Sequence, residues 1–345
     1  IGTYHVLSLL PESIGTLILE EESSRFYKSQ RQPFLDARIV ACEVARSLSI
    51  RFIVGDKLLS VETLSSIKSG SINEYSRISK RNTHKIQTLL VDMKAEVPTE
   101  ILRDNTNDAK KNTFVILSPD LKEMVLYSVK AKKKIFIYSV RRGIAPQTVC
   151  RDCSTTVACN QCESPVVLHA KNNERKFICH HCGATRSALE TCKLCGSWNL
   201  IPLGIGIERI EEEIKNITEA PIIRIDSDNC KTTKDAKQKI EKFLSSSDGG
   251  ILIGTDLALR FLPEQIVDFS AIVSLDSLFS LPDFRTAERV MHVILDVKSK
   301  VTECMLLQTR DTKQKIIEYA LGGDLESFAK DEIGARKVFS YPPFV

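Results

Sequence analysis

The sequence predicts an α/β protein: two parallel sheets covered by helices, the second interrupted by a small zinc-ribbon-like insertion carrying two four-cysteine sites. Three observations predict it. Short apolar runs alternate with helical stretches along most of the 345 residues. Eight of the eleven cysteines fall between Cys150 and Cys195 as four Cys-x-x-Cys pairs. A hydrophobic content of 43% is enough to bury a sizeable core.

Taken in order, residues 15–19 and 50–54 read as strands, with a helix over 35–48 between them. Residues 113–117 and 134–138 read as strands flanking a helix around 121–129. Past the cysteines, strands are expected at 222–225, 250–253, 271–275 and 303–308. Repeated strand–helix–strand with strands apolar on both faces means parallel sheets held between helices. One sheet fits before about residue 75 and one after.

The cysteine pairs are Cys150/Cys153, Cys159/Cys162, Cys179/Cys182 and Cys192/Cys195. Each such turn offers two sulfurs to one metal, and Zn²⁺ takes four at about 2.3 Å, so four pairs make two structural sites. The 16 residues between Cys162 and Cys179 read as strand, polar turn, strand. If that hairpin closes on its own ion, the outer pairs meet at its base. Nested pairing is therefore expected: Cys150, Cys153, Cys192 and Cys195 in one site, Cys159, Cys162, Cys179 and Cys182 in the other. A disulfide framework would call for a signal peptide and an oxidising compartment. An iron–sulfur cluster suits the repeated two-residue gap less well than zinc. His169, His180 and His181 are surplus to two saturated sites and read as exposed hairpin residues, while Cys42, Cys230 and Cys304 read as packing.

No apolar run reaches the roughly 18 residues of a membrane helix. With thiols kept for metal, the expected location is cytoplasmic, with no membrane partner. The formal charge of +4 counts every cysteine as neutral. Eight zinc-bound thiolates and two Zn²⁺ bring it to about zero, so global charge argues nothing about nucleic acid. The densest basic run is Lys130, Lys132, Lys133, Lys134, Arg141, Arg142 and Arg151, a solvated face or a set of phosphate contacts. The chain starts at Ile1 and stops at Pro342-Pro343-Phe344-Val345, which reads as a fragment.

In open α/β sheets ligands bind at the carboxyl ends of strands. Glu20-Glu21-Glu22 closes the first strand, where paired acids in a nucleotide hydrolase hold Mg²⁺; an ordinary acidic loop reads equally well. Gly254-Thr255-Asp256 closes another.

Together, Arg141-Arg142-Gly143-x-Ala145-Pro146 before the knuckles, Gly204-x-Gly206-x-Glu208-Arg209-x-Glu211-Glu212, Arg224-x-Asp226-x-Asp228, Gly254-Thr255, Leu275-Asp276, Pro282-Asp283-Phe284-Arg285-x-Ala287-Glu288-Arg289 and Tyr341-Pro342-Pro343-Phe344 resemble the primosomal protein N′ family of replication-restart superfamily 2 helicases. The resemblance implies two RecA-like lobes with the zinc module inserted in the second. The nested cysteine pairing holds in that family too. The resemblance also implies recognition of stalled or abandoned forks and assembly of the primosome to reload the replicative helicase. Forked or single-stranded DNA, single-strand-binding protein and other primosome proteins are the implied partners.

The departures matter more than the matches. The family's Asp-Glu-Glu-His box aligns with Glu20-Glu21-Glu22-Ser23, its Gly-Ser-Ala-Thr-Pro-Ser motif with Gly55-Asp56-Lys57-Leu58-Leu59-Ser60, and its final Gly-Arg repeats with the stretch ending Lys298-Ser299-Lys300. Losing an arginine finger costs roughly 10³- to 10⁵-fold in rate, and lysine is no equivalent. A glycine-rich phosphate loop is absent from the sequence. The expectation is a restart protein without helicase activity of its own; the alternative is an active ATP-dependent 3′ to 5′ helicase whose phosphate loop lies upstream. Two structural Zn²⁺ are the expected cofactors, with ATP and Mg²⁺ doubtful. No catalytic residue is assigned beyond the degenerate Glu20, Glu21 and Glu22. Gly254, Thr255, Asp283, Arg285 and Arg289 are the candidates for nucleotide contact, Arg141 and Arg142 for DNA.

The expected domains are residues 1–75, the C-terminal part of the first RecA-like lobe; 76–112, a linker leading into the second; 113–148, the start of the second lobe; 149–200, the zinc insertion; 201–330, the rest of the second lobe; and 331–345, the start of a truncated C-terminal region.

Overall fold

The computed structural model describes residues 7, 13–29, 35–75, 86–94, 115–140, 147–150, 152–153, 155–163, 165–171, 174–179, 182–203, 206–273, 275–279 and 283–344. The chain divides into two compact units, Ile1–Asn82 with Asp324–Val345, and Thr83–Gly323.

In the first unit β1 (Thr16–Glu20) and β2 (Arg51–Gly55) pair in parallel, Ile18 beside Ile53 and Glu20 beside Gly55. The crossover helix α1 (Ala37–Ser47) turns Ala37, Ala41 and Ala45 inward, and this spacing of four puts the small side chains on one stripe. Asp36 caps it by accepting from the Arg38 N–H at 3.1 Å. Helix α2 (Val61–Lys68) starts after Ser60, whose hydroxyl accepts from the Thr63 N–H at 3.3 Å.

The second unit opens with β3 (Gln87–Asp92), α3 (Pro119–Lys130) and β4 (Lys134–Tyr138). The cysteine-rich insertion follows, with β5 (Gln147–Cys150), β6 (Val167–Lys171), β7 (Glu174–Ile178), β8 (Thr185–Ser187) and β9 (Leu200–Leu203). The chain then resumes as α4 (Ile207–Lys215), β10 (Ile222–Ile225), α5 (Thr233–Ser245), β11 (Gly250–Gly254) and α6 (Asp256–Phe261). It continues as β12 (Val267–Ile272), α7 (Asp276–Phe279), α8 (Thr286–Ser299), β13 (Val301–Thr309) and α9 (Lys315–Gly322).

Six of these strands form one sheet in the order β10-β11-β4-β12-β13-β3, every pair parallel. Strand β4 lies inside it and is buried on both faces. Ile135 and Ile137 join Leu121 and Val125 of α3 and Ile207, Ile210 and Ile214 of α4 in one core cluster, while Phe136 and Tyr138 alternate to the other face. Burying a leucine or isoleucine contributes about 1.5–3 kcal/mol each, so this layer carries much of the unit's stability.

The structure departs from the sequence reading in three places. Residues 115–117, expected as part of a strand, make none. Gln308, buried in β13, takes their backbone instead: its Oε1 accepts from the Ser118 N–H at 2.8 Å and its Nε2 donates to the Ile116 carbonyl at 3.0 Å. The sheet edge goes to β3, where no strand was expected, within the segment read as linker and entry to the second lobe. Finally α10 (Leu325–Val338), which crosses the expected boundary between residues 330 and 331, groups with the first unit. Arg336 on it is buried and pairs with Glu62 of α2 at 3.4 Å and Glu332 at 3.0 Å, and so ties the two helices together.

Candidate metal centres

The insertion is built on two antiparallel ladders. Strands β5 and β9 form its stem, with Cys150 opposite Leu200, and β6-β7-β8 form its body, with Val167 opposite Ile178. Cys150, Cys159, Cys179 and Cys192 share a small core with Val166, Phe177, Ala188 and Leu200. A module this small has little else to bury, and structural metal commonly supplies the missing folding energy.

Three knuckles repeat one backbone device. The N–H of the residue after the second cysteine donates to the first cysteine's carbonyl: Glu163 to Cys159 at 3.1 Å, Gly183 to Cys179 at 2.9 Å, Gly196 to Cys192 at 2.8 Å. That residue sits at φ 58°, 75° and 72° respectively, the left-handed region that glycine enters without a Cβ penalty. The first cysteine's own N–H is held five residues on: Cys150 to Thr155, Cys179 to Ala184, Cys192 to Ser197, at 2.7–2.8 Å. The Cys179 and Cys192 turns are thus closed twice, and in each both sulfurs face one point.

Two four-sulfur groups result, Cys150, Cys153, Cys192 and Cys195 in one, and Cys159, Cys162, Cys179 and Cys182 in the other, all ligand atoms within 4.8 Å in each. Across the first, Sγ atoms stand 3.5 Å apart for Cys150–Cys195 and for Cys153–Cys192. Across the second they are 3.7 Å for Cys159–Cys182 and 3.5 Å for Cys162–Cys179. A tetrahedron with metal–sulfur bonds of about 2.3 Å has edges of about 3.8 Å, so the residues fit a tetrathiolate metal site. All eight are free cysteines, and a disulfide would need about 2.05 Å.

Crowding splits the metal-free thiols. The N–H groups of Gln161 and Cys162 bring Cys159 down to about 6. Cys153 is brought down to about 7 by Thr155, against burial that would raise it. Cys182 is pushed up to about 12 by desolvation and its three neighbouring thiols, in spite of the Ala184 N–H. Burial, with Cys153, Cys150 and Cys192 close by, pushes Cys195 up to about 12. Four negative sulfurs at one point repel; a divalent cation removes the conflict. The side chain of His169, and the residues His180 and His181, lie outside the described residues.

The acidic box is occupied locally. Glu20 and Glu21 are exposed, but Glu22 is buried and its carboxylate accepts from the Ser60 N–H and hydroxyl, both at 2.7 Å, and from the Thr63 hydroxyl at 3.1 Å. Arg38 stands 3.7 Å from it. The carboxylate therefore sits at the start of α2, where a negative charge meets the helix dipole. Ser23 donates through its N–H and hydroxyl to Asp56 at 2.8 and 2.6 Å, joining the ends of β1 and β2.

The nucleotide candidates divide. Gly254 and Thr255 close β11, and the ideal Cβ position at Gly254 falls 2.2 Å from the Ala258 Cβ, so glycine is required for α6 to turn back. Next to them Asp256 accepts from the Tyr138 hydroxyl at 2.5 Å, and Arg289 is close enough for its charge to act on that tyrosine. Asp283 precedes α8 and accepts from the Arg285 N–H at 3.0 Å, and Arg285 pairs with Glu288 at 3.7 Å. Asp283 is therefore part of the turn into α8.

Elsewhere the matching motifs do local work. Arg224 is gripped by Glu208 at 2.6 Å, by Glu211 at 3.4 Å and by Asp226, locking α4 to β10. Lys132 pairs with Asp248 at 2.8 Å, Lys133 with Glu303 at 2.5 Å, and Lys134 donates to the Leu244 carbonyl at 2.7 Å, so much of the basic run has protein partners. Arg141, Arg142, Arg151, Gly204 and Pro282 lie outside the described residues. Cys230 and Cys304 are buried as expected, whereas Cys42 is only half-buried. Asp276, noted in the sequence only as part of the Leu275-Asp276 pair and given no role there, opens α7 half-buried and accepts from the Thr309 hydroxyl at 2.6 Å and the Arg310 N–H at 3.1 Å; desolvation raises its pKa.

Fold and site define a class: a parallel-sheet α/β protein whose larger unit carries a two-centre tetrathiolate insertion. No family model matches the chain. Over its length it is similar to curated proteins named replication restart protein PriA. That of Haemophilus influenzae is 29% identical over 356 residues, covering 100% of this chain and 46% of the relative. The Borreliella burgdorferi protein is 26% identical over 351 residues, covering 100% and 50%, and the Bacillus subtilis protein 26% over 341, covering 96% and 40%. The chain spans about half the length of the curated relatives it matches. Among solved structures, a variant of S. cerevisiae Dbp5 bound to RNA and ADP BeF3 is a loose likeness, with TM-score 0.45, 10% identity, and coverage of 96% of this chain and 67% of that one. Among the described residues, no helix is long and apolar enough to cross a membrane.

Proposed function

We propose that this chain acts in replication restart in the cytoplasm. In this reading it binds stalled or abandoned forks and helps assemble the primosome that reloads the replicative helicase, without driving helicase movement itself. Single-strand-binding protein and other primosome proteins are its partners. The two RecA-like lobes serve as scaffold, and two Zn²⁺ stabilise the insertion through the eight cysteines. Similarity to restart proteins along the whole chain supports the process. The zinc reading is supported by thiolate spacing, which fits a small tetrahedral cation.

One observation carries the loss of motor function. Lys298 and Lys300, the only cations of the 294–300 stretch where the family places arginine fingers, are both buried, and the Lys298 Nζ donates to the Leu321 carbonyl at 3.2 Å. A finger must reach a transferring phosphoryl group, and a lysine that caps α9 from inside does not. Glu22, committed to Ser60, Thr63 and Arg38, supports the same reading.

The Ser23–Asp56 bonds favour the second reading, an active ATP-dependent 3′ to 5′ helicase, because they keep the acidic box coupled to the end of β2. Single-turnover ATP hydrolysis by the full-length protein, with and without forked DNA, decides between them. Fork binding with no DNA-stimulated hydrolysis is expected; a stimulated rate overturns the proposal. Metal analysis should return two zinc ions per chain, and chelation should abolish the β5–β9 and β6–β8 structure together with fork binding.

A further inference from the structure

The two tetrathiolate groups share one asymmetry. In each, the fourth cysteine is exposed, Cys195 in one and Cys182 in the other, while the first and third are buried and the second is half-buried. The exposed sulfur faces the buried first cysteine across the group, Cys195 to Cys150 at 3.5 Å and Cys182 to Cys159 at 3.7 Å.

From this we infer that Cys195 and Cys182 are sites of oxidative modification, through which hydrogen peroxide releases the metal; the inference rests on the zinc reading above. Which thiolate a dissolved oxidant meets is set by exposure and thiolate character, and a zinc-bound cysteine is already a thiolate. The exposed sulfur attacks one peroxide oxygen, the O–O bond breaks, and the products are a sulfenic acid on Cys195 or Cys182 and one hydroxide. The sulfur of Cys150 or Cys159 then attacks that sulfenic sulfur, forms the disulfide and expels a second hydroxide. Two sulfurs have lost one electron each, and one peroxide has become two hydroxides.

Two thiolates remain of the four that Zn²⁺ needs, so the ion leaves. Because Cys150 and Cys159 belong to the insertion's small core, the change is not confined to its surface. The disulfides join the first knuckle to the fourth and the second to the third, and the packing around Phe177 and Leu200 must adjust. Oxidant exposure is thereby converted into a change of shape in the insertion.

The test uses the full chain, with metal content measured first, treated with hydrogen peroxide at about one equivalent per site. Zinc release is followed with a colorimetric chelator, sulfenic acid is trapped with dimedone, and disulfides are mapped by peptide mass spectrometry. About one zinc ion per peroxide consumed is expected. Dimedone should label Cys195 and Cys182 first, and the disulfides should be Cys150–Cys195 and Cys159–Cys182. A Cys42→Ser, Cys230→Ser, Cys304→Ser variant should behave identically. First labelling at a buried cysteine, disulfides confined to Cys192–Cys195 and Cys179–Cys182, or oxidation of Cys42, Cys230 or Cys304 with zinc still bound would each overturn the inference. A preparation that takes up no zinc overturns the metal reading, whereas a zinc-loaded chain that keeps its zinc under peroxide overturns the inference alone.

Discussion

Replacing Glu22 separates a structural acid from a catalytic one. Its carboxylate is 6% exposed, accepts three hydrogen bonds of 2.7, 2.7 and 3.1 Å, and lies 3.7 Å from Arg38. Hydrogen bonds to a charged group contribute roughly 1.5–3 kcal/mol, and a buried N–H left without a partner costs about 1–3 kcal/mol. Breaking a buried ion pair can cost about 3–5 kcal/mol, but Arg38 keeps Asp36 at 2.6 Å, so the lower end applies. Glu22→Ala should therefore destabilise the first unit by about 3 kcal/mol. Glu22→Gln keeps the shape and one acceptor, and should cost about half that.

Hydrogen-exchange mass spectrometry on peptides covering β1 and α2 reads the effect where it arises. A loss of about 3 kcal/mol corresponds to exchange about two orders of magnitude faster where those amides open with the unit. The reasoning fails if Glu22→Ala leaves α2 protection unchanged while removing a DNA-stimulated ATPase. In that case the carboxylate serves a metal or water, and the bonds to Ser60 and Thr63 are incidental.

Three further outcomes are expected. Gln308→Leu removes the amide that satisfies both the Ile116 carbonyl and the Ser118 N–H, and should cost the second unit about 2–4 kcal/mol in urea unfolding, beyond what its apolar side chain returns. Gly183→Ala or Gly196→Ala places a Cβ at φ 75° or 72° and should weaken zinc binding about five- to thirtyfold in a competition titration, through a strain of about 1–2 kcal/mol. For Asp226, burial acts to raise the pKa but is outweighed by Arg224 and the N–H groups of Asn229 and Asp228, which hold it below the usual carboxylate value. Its contribution is therefore present above the unfolded pKa of about 3.9 and lost as pH falls through the lower folded value; Asp226→Asn should remove that limb from the acid-unfolding profile of the second unit.

The cysteine nesting was legible because two constraints are local. A Cys-x-x-Cys turn has little choice of shape, and a hairpin of 16 residues fixes which pairs can meet. Most parallel strands were legible for a similar reason: a strand buried on both faces is written as a continuous apolar run, as in Ile135-Phe136-Ile137. The edge strand β3 was not, since Leu89 and Leu90 are partly exposed and its sequence carries a weaker signal. Conversely the apolar run at residues 113–117 promised a strand that the described residues do not make, because burial alone does not decide where a backbone finds its hydrogen bonds.

What the sequence determined by itself was therefore composition, metal-ligand spacing and the alternation of strand and helix, all set within a few turns of chain. Tertiary structure alone decided that Glu22 serves Ser60 across 38 residues, that Gln308 holds Ser118 across 190, and that α10 belongs with the first unit. Those choices depend on which polar group is left buried beside which other once the sheets have closed. A buried donor or acceptor must be satisfied by whatever the fold brings near it, and spacing along the chain carries no record of that.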